Sequence, residues 1–274
     1  MCQRLRLTGC CMLALLTAAC ANPLVLGPLV ANPSTTPPER PTREAPPPQQ
    51  MASAAERARL HTDLGSGYYE RGQMDVAISE LDSAVKLDPN YAPAYNIYGL
   101  IYAVLGEDRK AEQNFERALQ LAPGNPDIHH NWGWYLCQHK REREALAQFE
   151  SAVSDPLYRT PEIALVNAGR CAQAIGDIVA AEGYFRRALS GQPNNVLASY
   201  GLAQIAYKQG RYDEARALMR RVIQTNNAPP EALRLGMCVE RKLGDRQSEA
   251  SYISQLRNRY PEAPETRAIA EACE

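Results

Sequence analysis

A glycine recurs along this chain at an interval of 34 residues, at Gly65, Gly99 and Gly133, and again at Gly169 after two extra residues. A second series keeps the same interval at Gly72, Gly106, Lys140, Gly176, Gly210 and Gly244. Alanine makes a third, at Ala77, Ala111, Ala145, Ala181 and Ala215. A period of this length is one supersecondary unit, too small to bury its own apolar face, so neighbouring units must stack to build a continuous core. One unit of two helices joined by a glycine turn accounts for all three series. The expected fold class is therefore all-α, a superhelical stack of helix pairs, and such stacks bind partners more often than they transform substrates.

Aligned on their glycines, the units resemble the tetratricopeptide repeat. In the first, Leu64, Gly65 and Tyr68 fall on helix A, Gly72 opens the turn, Ala77, Leu81 and Ala84 fall on helix B, and Pro89 ends the unit. The second repeats this with Tyr98, Gly99, Tyr102, Gly106, Ala111, Phe115, Ala118 and Pro123, and the third with Trp132, Gly133, Leu136, Ala145, Phe149 and Ala152. Small residues let helices A and B approach closely, the Phe115 position fills the gap toward the next unit, and proline prevents continuation of helix B. Six units cover about 58–261. The fifth and sixth depart from the pattern, with Ala203 in place of the helix A glycine and Glu249 in place of the helix B alanine. Residues 264–273 are expected to form a lone capping helix over the last apolar face.

The N-terminal residues have a different character. Arg4 and Arg6 precede the apolar run Cys11–Ala19, which is too short to cross a bilayer as a helix and reads as a signal peptide over 1–19. Leu16-Thr17-Ala18-Ala19-Cys20 resembles a bacterial lipobox, although Thr17 stands where that pattern prefers leucine. Cys20 is the expected lipidation site. Leu7-Thr8-Gly9-Cys10 also fits but lacks a preceding apolar segment, and an ordinary secretory signal is the remaining alternative. Ala21 rather than an acidic residue follows Cys20, which by the same resemblance implies the outer membrane. Residues 20–55 hold nine of the 20 prolines and little that could pack. They read as an extended tether, able to span on the order of 100 Å at about 3.1 Å per residue. The repeat domain is assigned to 56–274.

Lys plus Arg number 30 against 31 for Asp plus Glu, so the basic stripe of a nucleic-acid binder is missing and no nucleic acid is expected as partner. No nucleophile elbow, phosphate-binding glycine loop or His-Glu-x-x-His is present, and no catalytic group, cofactor or metal site is expected. Beyond Cys20 four cysteines remain. Cys137 and Cys171 lie on the A helices of neighbouring units, and Cys238 bears the same relation to Cys273 in the capping segment. Both pairs, Cys137–Cys171 and Cys238–Cys273, are expected to be disulfides, with buried free thiols as the alternative.

In tetratricopeptide stacks, one face of each helix A lines an inner groove. In the first three units that face carries Thr62, Ser66, Tyr69, Asn96, Leu100, Ala103, Val104, His130, Trp134 and Gln138. Leu100, Val104 and Trp134 are expected to form an exposed apolar stripe for a partner segment, with packing of Trp134 against a neighbouring helix as the alternative. On this reading Leu100→Glu or Trp134→Glu abolishes partner binding and leaves the fold intact.

Asn131-Trp-Gly-Trp-Tyr-Leu-Cys137, Asp155-Pro-Leu-Tyr158 and Asn167-Ala-Gly-Arg-Cys-Ala172 resemble one branch of these proteins, the type IV pilus biogenesis and stability lipoproteins of the PilF/PilW pilotin kind. The resemblance implies an outer-membrane lipoprotein, monomeric when free, that binds the pilus secretin and promotes its localisation and multimerisation. A general periplasmic scaffold organising cell-wall enzymes is the alternative, and the two differ in partner rather than in fold.

Overall fold

The computed structural model describes residues 53–223, 228–271 and 273. The signal peptide, Cys10, Cys20 and the tether as far as residue 52 lie outside them. Six helix pairs follow one another: α1 (Ala54–Glu70) with α2 (Met74–Leu87), α3 (Ala92–Val104) with α4 (Asp108–Leu121), and α5 (Pro126–Gln138) with α6 (Glu142–Ser154). Then come α7 (Pro161–Ala174) with α8 (Ile178–Gly191), α9 (Val196–Lys208) with α10 (Tyr212–Ile223), and α11 (Pro230–Leu243) with α12 (Arg246–Arg259). The described residues contain no strand. Each odd-numbered helix packs on its own partner and beside the odd-numbered helix of the next unit, which is the tetratricopeptide superhelix.

Local chemistry starts and stops each helix. Ser53 and Glu56 form a capping box at the start of α1, the Ser53 Oγ accepting from the Glu56 amide at 3.2 Å and the Glu56 Oε2 from the Ser53 amide at 2.6 Å. Asn125, Asp177, Asn195 and Asp245 cap α5, α8, α9 and α12 in the same sense. Between the helices of a pair the chain turns through a left-handed residue: Gly72, Gly106, Gly176, Gly210 and Gly244 have φ between 71° and 77°. The third unit makes the same turn with Lys140 at φ 60°, where a side chain is disfavoured.

The helix A glycines act by a different mechanism. A Cβ on Gly99 would stand 2.8 Å from three ring atoms of Phe115, and one on Gly169 would stand 2.6 Å from Phe185. The aromatic ring therefore rests on the glycine of its own unit, while Phe115 also meets Trp132 and Tyr135 of the next unit at centroid distances of 5.3 and 5.6 Å. This one ring ties the pair and the stack together. In unit five the helix A glycine position is the fully buried Ala203, and helix B carries Met219 where units two to four carry phenylalanine; Gly201 makes a different contact, receiving the ring of Phe185 from the preceding unit. In unit six Glu249 is held by the Arg241 guanidinium, Nε to Oε1 at 2.7 Å, and Gly236 makes room for Ile223 and Tyr252.

The capping helix is shorter than its expected span of 264–273. Helix α13 covers only Pro264–Arg267, a single 3-10 turn follows at Ala268–Ala270, and Glu271 is extended. Contacts to the stack compete for the carbonyls a longer helix would need. Arg241 donates to the Ile269 and Glu271 carbonyls at 3.0 and 3.1 Å, and the Tyr207 hydroxyl donates to the Cys273 carbonyl at 3.0 Å. Ile269 still plugs the last apolar face, 8% exposed.

Candidate functional site

The A helices α1, α3, α5, α7, α9 and α11 line up along one side of the stack, and their outward turns form its inner wall. Over the first three units the floor is polar. Thr62, Ser66, Asn96 and Asn131, with Asp63 and Asp127, surround a hollow of about 300 Å³. Asn131 Nδ2 donates to Asn96 Oδ1 at 3.3 Å, which stitches α5 to α3. Asn167 Nδ2 donates to His130 Nε2 at 2.9 Å, stitching α7 to α5. Burial lowers the His130 pKa below the usual imidazole range, with Asp127 opposing the shift, so the ring is held neutral as a hydrogen-bond acceptor. His130 also lies 6.4 Å from the ring of Tyr158, a buried residue of the connection between α6 and α7, which is two residues longer than the connections between the units before it.

The expected apolar stripe is only partly exposed. Val104 is 53% exposed, but Leu100 and Trp134 are half-buried and pack against the core around Phe115 and Tyr135. Adjacent A helices lie close enough that a long side chain in mid-helix reaches its neighbour before it reaches solvent. Ala103 joins the same cluster, Tyr69 packs against the core of the first pair, and Asn96 is 5% exposed. Only Gln138 keeps company with Val104 as an exposed residue. Leu100→Glu and Trp134→Glu would thus bury a charge and perturb the fold as well as the groove.

The four described cysteines are joined as Cys137–Cys171, with Cα atoms 5.9 Å apart, and Cys238–Cys273, 5.5 Å apart. The first links α5 to α7 near their C-terminal ends, close to the Glu142 carbonyl at the start of α6, and the second fastens the C-terminal segment to α11. No group of three or more His, Cys, Asp or Glu side chains able to hold a metal occurs among the described residues.

Residues that the sequence reading did not single out lie on the same wall further along. Arg170 on α7, Tyr200 and Lys208 on α9, and Arg234 on α11 line two adjoining hollows. The glycine register carried through units four to six would have found them, because they fall on the same helix A face.

Comparison with known proteins agrees with this architecture. Tetratricopeptide repeat models match residues 62–126 and 172–235. The type IV pilus assembly protein PilF of Pseudomonas aeruginosa is 27% identical over 201 residues, covering 73% of this chain and 80% of that protein. The crystal structure of PilW, described as a widely conserved type IV pilus biogenesis factor, superposes with a TM-score of 0.70 at 29% identity, over 77% of this chain and 97% of that one. The structure of P. aeruginosa PilF gives a TM-score of 0.73 at 27% identity, over 78% and 96%. In repeat, helix pairing and extent, the chain is a tetratricopeptide-repeat protein related to the type IV pilus biogenesis proteins PilF and PilW.

Proposed function

We propose that this chain serves type IV pilus biogenesis as a pilotin: a lipoprotein, anchored through Cys20 to the periplasmic face of the outer membrane, that binds a secretin subunit in its inner groove and promotes secretin localisation and multimerisation. The observation that carries the reading is the likeness to PilF and PilW across nearly the whole length of the solved chains. The physics is consistent with it. An open stack of A helices offers a long concave wall to an extended or helical segment, and its chemistry is that of recognition rather than catalysis. Several acyl chains on Cys20 would hold the complex stably at a membrane, where a single chain binds only marginally. The residues from Cys20 to about 55 would let the repeat domain search for its partner.

Deletion of the gene tests this. Loss of secretin multimers and of twitching motility, restored by the wild-type chain and not by Cys20→Ala, is the expected outcome. Normal secretin rings at the outer membrane of the deletion strain would remove the reading.

A further inference from the structure

The inner wall changes character along its length. Its first half carries Asp63 and Asp127 and no cation in its hollow. The second half carries Arg170, Lys208 and Arg234 on the wall of its hollows, and none of these three has an ion-pair partner among the described residues, whereas several cations elsewhere on the stack do. Arg141 meets Glu144 at 2.7 Å, Arg187 meets Glu150 at 2.6 Å, Arg211 meets Glu182 at 3.0 Å, and Arg241 meets Glu249 at 2.7 Å. The Arg234 Nε is moreover buried with no hydrogen-bond partner. A guanidinium N–H left in that state costs desolvation that a partner would recover.

Two hollows of about 240 and 320 Å³ adjoin there, sharing Gln204 and Lys208. Tyr200 and Leu235 give the first an apolar wall. Leu197 and Ile163, 58% and 51% exposed, sit in the first turns of α9 and α7 on the same helices. Glu231 and Glu265 also line the first hollow. Burial first, and then these two carboxylates, push the Tyr200 hydroxyl above its usual pKa. They would repel a run of acidic residues while leaving room for one.

We propose that the C-terminal half of the groove seats a partner-protein segment in which a single acidic side chain is flanked by apolar ones, its carboxylate taken by Arg234 and Lys208. Arg170 supplies longer-range attraction. The apolar neighbours of the acid lie on Tyr200, Leu235 and the exposed Leu197. A charge-assisted contact of this kind is short, directional and stronger than a neutral one, so it sets the register of the bound segment. The site does not depend on which protein supplies the segment, and stands whether or not the pilotin reading does.

The test uses the purified chain and a fluorescein-labelled peptide, Gly-Leu-Val-Glu-Leu-Ala-Gly with blocked ends, alongside its Gln and Lys counterparts, read by anisotropy at low and moderate salt. The Glu peptide is expected to saturate the protein, to bind about tenfold more tightly than the Gln peptide, and to weaken as salt rises. Arg234→Gln should remove that preference and Arg234→Lys should restore part of it, with unchanged helical circular dichroism and melting showing that both variants fold. Equal binding of the Glu and Gln peptides, preference for the Lys peptide, or no saturable binding at low salt would each overturn the proposal.

Discussion

Two glycine-to-alanine substitutions should change stability in opposite directions, for reasons visible in the geometry. Gly99 lies in the middle of α3, where a Cβ would stand 2.8 Å from three atoms of the Phe115 ring. Ordinary carbon contacts lie near 3.5–4.0 Å, so α3 and α4 would have to part by about 1 Å. Phe115 cannot yield, because it is fully buried with Trp132 and Tyr135 against it. Overpacking of this sort costs about 1–3 kcal/mol, against which alanine recovers about 0.8–1.0 kcal/mol of helix propensity. The net expectation for Gly99→Ala is a loss of about 1–2 kcal/mol. Gly183 lies in α8 with open space where a Cβ would stand. There only the propensity term operates, and Gly183→Ala should gain about 0.5–1 kcal/mol. Urea denaturation followed by circular dichroism measures both, with midpoint and slope compared because repeat arrays need not unfold in one step. Melting should move by about 2–4 °C per kcal/mol for a folded region of this size. If Gly99→Ala proved as stable as the parent, or both variants moved the same way, the argument that helix A glycines are set by ring contact would be wrong.

Other consequences follow from single residues. Lys140→Gly should stabilise the chain by about 0.5–1 kcal/mol in the same urea assay, since Lys140 alone among the turn residues carries a side chain at positive φ. Reducing Cys137–Cys171, which closes a loop with a sequence separation of 34, should cost as much as about 4 kcal/mol by the chain-entropy estimate, read as a lower urea midpoint in reductant. His130 is held neutral in the folded state with its pKa below 6.5, whereas the unfolded imidazole takes a proton near 6.5. Its contribution is therefore complete above pH 6.5 and is lost as the pH falls toward the lowered value. His130→Gln should flatten the stability profile over that acidic window, and an unchanged slope would contradict the assignment.

Much of the fold could be read from the chain because its steric requirements repeat. A glycine under an aromatic ring, a glycine at positive φ and an alanine between paired helices each leave a mark at a fixed interval. The departures were less legible. Gly201 is needed because Phe185 reaches forward from the preceding unit, a contact that no single-unit alignment contains. The C-terminal helix stops at Arg267 because Arg241 and Tyr207 claim carbonyls that lie about 30 or more residues further along the chain. In the groove, helix register named the right face and misjudged its depth: Leu100 and Trp134 occupy positions that would be exposed on a lone helix and are covered here by the neighbouring A helix. Burial between units is a property of the superhelix, which one repeat cannot express.

The claim on which the functional account depends is that the inner groove holds a secretin subunit at the outer membrane, and co-purification of the lipidated chain from membranes tests it most directly. Val104 is the groove residue to alter, because it is 53% exposed and its replacement should leave the core undisturbed. Secretin recovered with the wild-type chain, and lost with Val104→Glu at equal protein level and fold, is the predicted result. Membranes that yield the lipidated chain without secretin, or secretin recovered equally with the groove variant, would contradict it.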